Sequence, residues 1–179
     1  MIIILFTLTL FTSGLIIAGG ITDFLKLKIP NILPALIILC FSVAYSLQAI
    51  LNTNAGFQEL SSHLIAFVVT LLTMMALFFF KLFGGGDAKL IAAISLWIGL
   101  QGMPLFLMVM TIAGGVLAII SVIMRKTKLG QGLTVKLTQI NSLKGGWINA
   151  LASGTNVVPY GIAIATGGIS AFRSLGYLP

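Results

Sequence analysis

The first charged side chain is Asp23, and everything ahead of it is apolar or neutral. A run of that length can cross a bilayer, which takes ~20 residues as a helix. Similar runs then recur along the chain with short polar breaks. Across 179 residues, 59% are hydrophobic and 7% are charged, against about 25% charged in a soluble domain. The chain therefore reads as an all-α, polytopic membrane protein. A disulfide scaffold is excluded, since Cys40 is the single cysteine. The formal charge of +7 comes without a basic face carrying aromatic platforms, so no nucleic-acid partner is expected.

The apolar runs fall at about 1–22, 31–51, 61–80, 88–103, 104–124 and 157–172, with a long connection at 125–156. Six spans leave no room for a separate soluble domain, so 1–179 is predicted to be one membrane-embedded domain. A secretory signal would carry basic residues ahead of its apolar stretch. Here Lys26 and Lys28 follow it, so 1–22 reads as a first span with its N-terminus outside. The runs at 88–103 and 157–172 are short for a crossing. Charge placement argues for both, because short loops rich in Lys and Arg stay in the cytoplasm. With six crossings, Lys26, Lys28, Lys81, Lys89, Arg125, Lys126, Lys128, Lys136 and Lys144 share one side, and Arg173 alone takes the other. That predicts six crossings with both termini outside the cytoplasm. Within the connection, Leu133, Leu137, Ile140 and Trp147 recur near helical spacing, with Lys136 and Lys144 off that stripe. This segment reads either as a helix lying on the lipid surface or as a solvated loop.

Asp23, Glu59 and Asp87 are the only carboxylates. Asp23 falls at the cytoplasmic end of the first span and Asp87 at the cytoplasmic start of the fourth, 64 residues on, with two crossings between them. Both return to one face at similar depth, where ionisable groups are costly and mark function. Two facing carboxylates cannot both ionise and so share a proton. One partner can take a proton from water, which attacks a peptide carbonyl, while the other assists departure of the amine. Each acid has a structural reading as well. Asp87 can cap a helix N-terminus, and Asp23 can close its span beside Lys26. Gly84-Gly85-Gly86 favours the catalytic reading, because a bare cap does not need three glycines. They imply close backbone approach or positive φ beside Asp87.

Gly84-Gly85-Gly86-Asp87-Ala88-Lys89 resembles the G-x-G-D motif of intramembrane aspartyl proteases, in the form found in type IV prepilin peptidases. Asp23 ahead of Lys28-Ile29-Pro30-Asn31 is similar to that family's first aspartate site, and Val158-Pro159-Tyr160-Gly161-Ile162-Ala163-Ile164-Ala165 to its final-span signature. The resemblance implies an aspartic endopeptidase that cuts leader peptides from prepilin or pseudopilin precursors at the cytoplasmic membrane face, with Asp23 and Asp87 as the catalytic pair. It implies no metal and no cofactor, with membrane lipid as surroundings. Larger members carry a zinc-binding cysteine region and also methylate the new N-terminus. A lone Cys40 cannot supply that site, so no N-methylation is expected. The short form resembles the dedicated peptidases of tight-adherence (Flp-type) pilus systems, with archaeal preflagellin peptidases nearby.

Around the pair, Lys89 reads as a group that keeps an aspartate ionised, binds a substrate carbonyl, or snorkels to the surface. Lys28, Pro30 and Asn31 would shape the turn opening the second span, and Pro159, Tyr160 and Gly161 the start of the last. Gly161, Ala163, Ala165, Gly167 and Gly168 give that span a small face for close packing, as Gly114 and Gly115 do in the fifth. His63 and Cys40 read as structural. A rival class is a small proton- or cation-coupled transporter using the same two acids, though inverted repeats of the kind such proteins carry are not visible. Nothing in the sequence sets the oligomeric state.

Overall fold

The computed structural model describes residues 2–50, 57–127, 132, 134, 146–153 and 157–179. Among these the ordered elements are helices: α1 (Ile2–Lys26), α2 (Ile32–Ile50), α3 (Leu60–Phe79), α4 (Gly85–Lys126), α5 (Trp147–Ala152) and α6 (Tyr160–Ser174). The first four are long and apolar enough to cross a membrane. Their outward faces carry large apolar side chains, with Leu72 61%, Ile119 61% and Met75 58% exposed. A surface like that is stable against lipid rather than water. The molecule is a helical membrane protein.

α4 holds the main departure from the boundaries expected from sequence. It runs for 42 residues but is broken at Gly99, which has φ 58° and ψ −172°. Packing shows that the chain reverses there. Ahead of the break, Ile94 lies against Gly168 and Trp97 against Phe172, so this segment runs parallel to α6. Behind it, Gly102 lies against Leu175, Phe106 against Gly167 and Gly114 against Tyr160, so this one runs antiparallel to α6. The division falls at Gly99 and not at Met103–Pro104. The sharp turn needs positive φ, which glycine adopts without penalty, and Pro104 sits one turn into the helix that follows.

Side chains from the start of α3 hold this break together. Gln58 Nε2 donates to Ile98 O at 3.0 Å, and His63 Nδ1 lies 2.8 Å from Leu96 O. On the other side, the Leu100 and Gln101 amides donate to Ser62 Oγ (3.1 Å) and Gln58 Oε1 (3.4 Å). Helix ends in an apolar environment need such partners, because water is not there to supply them. His63 is fully buried and bonded to backbone, consistent with a structural role. Around it Phe41, Tyr45, Phe57, Trp97, Phe172 and Tyr177 form an aromatic cluster that joins α2, α3, α4 and α6 at this end.

Smaller corrections concern element ends. α1 extends past Thr22 to Lys26, which puts Asp23 in its last turn. α6 begins at Tyr160, three residues into the expected span. Gly114 packs on the Tyr160 ring as a small-residue contact, whereas Gly115 faces open space. Glu59 precedes α3 and accepts a 3.4 Å hydrogen bond from Ser61. The stripe of Leu133, Leu137, Ile140, Lys136 and Lys144 lies outside the described residues.

Candidate active site

The end of the bundle opposite Gly99 gathers the acids. α1 and α6 are antiparallel, with Gly20 beside Ala165 and Ile16 beside Gly168, and Gly19 of α1 faces Leu90 of α4. This register carries the last turn of α1 to the first turns of α4 and α6. Asp23 is 7% exposed. Its Oδ2 accepts a 2.7 Å hydrogen bond from the Gly161 amide at the start of α6. A buried carboxylate requires a donor of this kind, and one of the free amides at a helix N-terminus provides it. No side chain fits at Gly161: an added Cβ would lie 2.6 Å from Asp23 Cβ. Pro159, buried ahead of Tyr160, starts α6 so that this amide is presented, and the Tyr160 ring stacks near Phe83 at 5.5 Å.

Asp87 comes from the first turn of α4, with Gly84 as the residue that caps it. The Asp87 carboxylate lies close over Gly84, where an added Cβ would be 2.9 Å from Oδ2, and Asp23 lines the same cavity. The three glycines have negative or extended backbone geometry, so the positive-φ alternative is not what they serve. They serve close approach. An added Cβ at Gly84 would sit 2.9 Å from Asp87 Oδ2, at Gly85 3.2 Å from the Phe78 ring, and at Gly86 3.1 Å from Ile29 Cβ. Positive φ occurs instead at Leu27 (50°) and Lys81 (58°), just past the ends of α1 and α3. There the chain turns sharply towards the site.

Asp23 and Asp87 line one cavity of about 340 Å³, together with Leu27, Lys28, Ile29, Asn31, Gly84, Gly85, Gly86 and Lys89. Of the residues expected at the site, the two acids, the glycine turn, Lys28, Asn31 and Lys89 are thus brought together. Gly161 reaches it through Asp23. Pro30 lies in the turn behind, accepting from the Leu33 amide at 3.1 Å, while Pro159 and Tyr160 shape α6 without lining the cavity. Lys89 Nζ donates to Asn31 Oδ1 at 2.9 Å and not to either carboxylate.

Sequence reasoning missed the cover at this end. α5 packs Trp147, Ile148 and Leu151 on Phe24, Leu27 and Met124, and Trp147 Nε1 donates to Val157 O at 3.0 Å. Gly146 lets α5 dock, since a side chain there would strike the Phe24 and Leu25 carbonyls. Trp147, read from sequence as part of a stripe on a surface helix or a solvated loop, instead packs inward on Phe24. Among the described residues no group of His, Cys, Asp and Glu is arranged to hold a metal ion.

Comparison with curated proteins finds no match, and neither does comparison with solved structures. A protein-family model does match: that of the type IV leader peptidase family, over residues 9–119. The matched stretch contains both aspartates, the Lys28-Ile29-Pro30-Asn31 turn and the glycine loop, and it ends before α6. With that match over more than half its length, the chain belongs to the type IV leader peptidase family, and it is a peptidase.

Proposed function

We propose that the protein is an aspartic endopeptidase that removes leader peptides from prepilin-like precursors at the cytoplasmic face of the inner membrane. The observation that carries this is the shared cavity: acids 64 residues apart, on α1 and α4, line one wet-sized space at one end of an apolar bundle. The pair holds one proton. The ionised carboxylate accepts a proton from water as its oxygen bonds to the scissile carbonyl carbon. The protonated partner gives its proton to the leaving amine as the C–N bond breaks. The Gly161 amide occupies Asp23 Oδ2 and leaves the other oxygen for this exchange.

Six crossings complete the proposal, as one domain over 1–179. The segment 85–98 spans only about 21 Å at 1.5 Å per residue, less than the ~30 Å hydrocarbon core. From Leu90 to Gly99 every residue is buried in protein, so this segment does not have to match lipid thickness. Lys26, Lys28, Lys81, Lys89, Arg125 and Lys126 share the end that holds the aspartates, and Arg173 lies at the other. By the positive-inside rule the aspartate end faces the cytoplasm and both termini lie outside. The motifs around the two aspartates and at the start of α6 are read here as those of a dedicated leader peptidase of Flp-type systems. A transport route would have to pass the opposite end, where Phe41, Trp97, Phe172 and Tyr177 are packed together.

Co-expression with candidate prepilins tests the proposal. Asp23→Asn and Asp87→Asn should each abolish the size shift that marks leader removal while the protein still inserts. Full cleavage by a stably inserted Asp87→Asn variant would defeat it.

A further inference from the structure

The two aspartates belong to helices with no local link between them, so their separation has to be set by contacts near the cavity. Besides the Gly19–Leu90 and Gly161–Asp23 contacts described above, the structure shows two between the α1–α2 turn and the start of α4. Gly86 lies against Ile29, with an added Cβ 3.1 Å from Ile29 Cβ and 3.5 Å from both its N and O. The two backbones therefore touch. One helical turn away, Lys89 Nζ reaches across to Asn31 Oδ1 at 2.9 Å. The four residues bracket the acids: Ile29 and Asn31 follow Asp23 on one strand of chain, and Gly86 and Lys89 flank Asp87 on the other. All four line the cavity together with the two aspartates.

We infer that Lys89 and Asn31 form a clasp, seated on the Gly86–Ile29 contact, that fixes the separation of Asp23 and Asp87. Lys89 is thus a positioning residue and not a counterion of the pair. The inference rests on the dyad reading given above and deepens it. Residues two apart on a helix point to different sides, and Lys89 accordingly reaches away from Asp87 to a neutral amide on the opposite element. A bond between exposed groups adds little to global stability. It can still matter to rate, because a misplacement of about 1 Å between reacting groups costs up to ~10²-fold.

A double-mutant cycle in the full-length protein, with a cleaved prepilin as substrate in proteoliposomes, tests the clasp. Lys89→Met and Asn31→Ala should each lower kcat by about tenfold with KM little changed. The double variant should lose about tenfold and not a hundredfold, since either change already opens the clasp. Lys89→Arg, which keeps a donor of similar reach, should recover most of the rate. Melting temperatures should stay at the wild-type value, because both side chains are exposed.

Three results would overturn the inference. Multiplicative losses would mean that the residues act independently. A raised KM for Lys89→Met, with Asn31→Ala silent, would mean that Lys89 touches substrate. A lowered melting temperature with kcat retained would mean that the contact is merely structural. Failure of the dyad itself has a different signature, namely cleavage that survives Asp87→Asn, so the two cannot be confused.

Discussion

Gly161→Ala is the sharpest perturbation of the site that leaves both acids in place. The Gly161 amide holds Asp23 at 2.7 Å, and a methyl group at Gly161 would lie 2.6 Å from Asp23 Cβ and 3.0 Å from its Oδ2. Carbon atoms in contact settle at about 3.5–4.0 Å. On the order of 1 Å must therefore be found by moving Asp23, or by separating α1 from α6. The second route would open the close contact at Gly20, where an added Cβ would lie 3.1 Å from Gly161 O, and so gives up packing along the helix pair. The helices touch there and have no slack in register. Overpacking of this kind costs about 1–3 kcal/mol, and alanine returns less than about 1 kcal/mol of that through helix propensity. The fold should survive with a modest fall in melting temperature.

The rate should suffer more. Displacing Asp23 by about 1 Å predicts a loss near 10²-fold in kcat, read as prepilin cleavage by reconstituted protein. Gly115→Ala is the matched control, since nothing lies within 4 Å of a Cβ there. It should cleave at the wild-type rate. A folded Gly161→Ala protein with undiminished kcat would refute the idea that this close approach sets Asp23.

Two further outcomes are expected away from the acids. Gly99→Ala imposes φ 58° on an L side chain and drives its methyl to 2.9 Å from Gln58 Oε1; with strain of about 1–3 kcal/mol, it should lower the melting temperature in detergent, and an unchanged melt would remove the turn's claim on glycine. Reporter enzymes fused after Thr53 and after Lys126 should report opposite faces, outside and cytoplasmic respectively, and activity on one side at both points would refute six crossings.

Asp23 and Asp87 were legible in the sequence because a charge beside long apolar runs is costly and therefore rare. The glycines before Asp87 were legible as a demand for room, although not as a choice between close approach and positive φ. What stayed hidden depends on partners distant in sequence. The break in α4 has no local cap to announce it, because Gln58 and Ser62 reach Ile98, Leu100 and Gln101 from about forty residues upstream. The expected boundary at 103–104 misses Gly99 for the same reason: Pro104 is visible in the sequence, whereas a glycine's φ is fixed only by the fold around it. Lys89 stood next to Asp87 in sequence, and only the approach of α2 gives it Asn31 instead.

The division of labour between the two ends follows from what holds each of them. At the Gly99 end, bulky rings fill the space between α2, α3, α4 and α6, and the Gln58 and His63 side chains bond the Ile98 and Leu96 carbonyls. Packing of that density resists displacement. At the aspartate end the helices meet through Gly20, Gly86, Gly146 and Gly161, where backbone touches backbone or a short side chain. Small residues bring elements close without filling the volume beside them, which leaves a cavity within reach of both acids. On the proposed dyad reading both properties serve the reaction, since water and an extended peptide must reach two carboxylates held at a set spacing. Rings at the far end keep the helices in register, and glycines at the near end turn that register into a fixed separation around an open space. Filling the near end with larger side chains should therefore cost activity before it costs the fold, whereas hollowing out the far end should do the reverse.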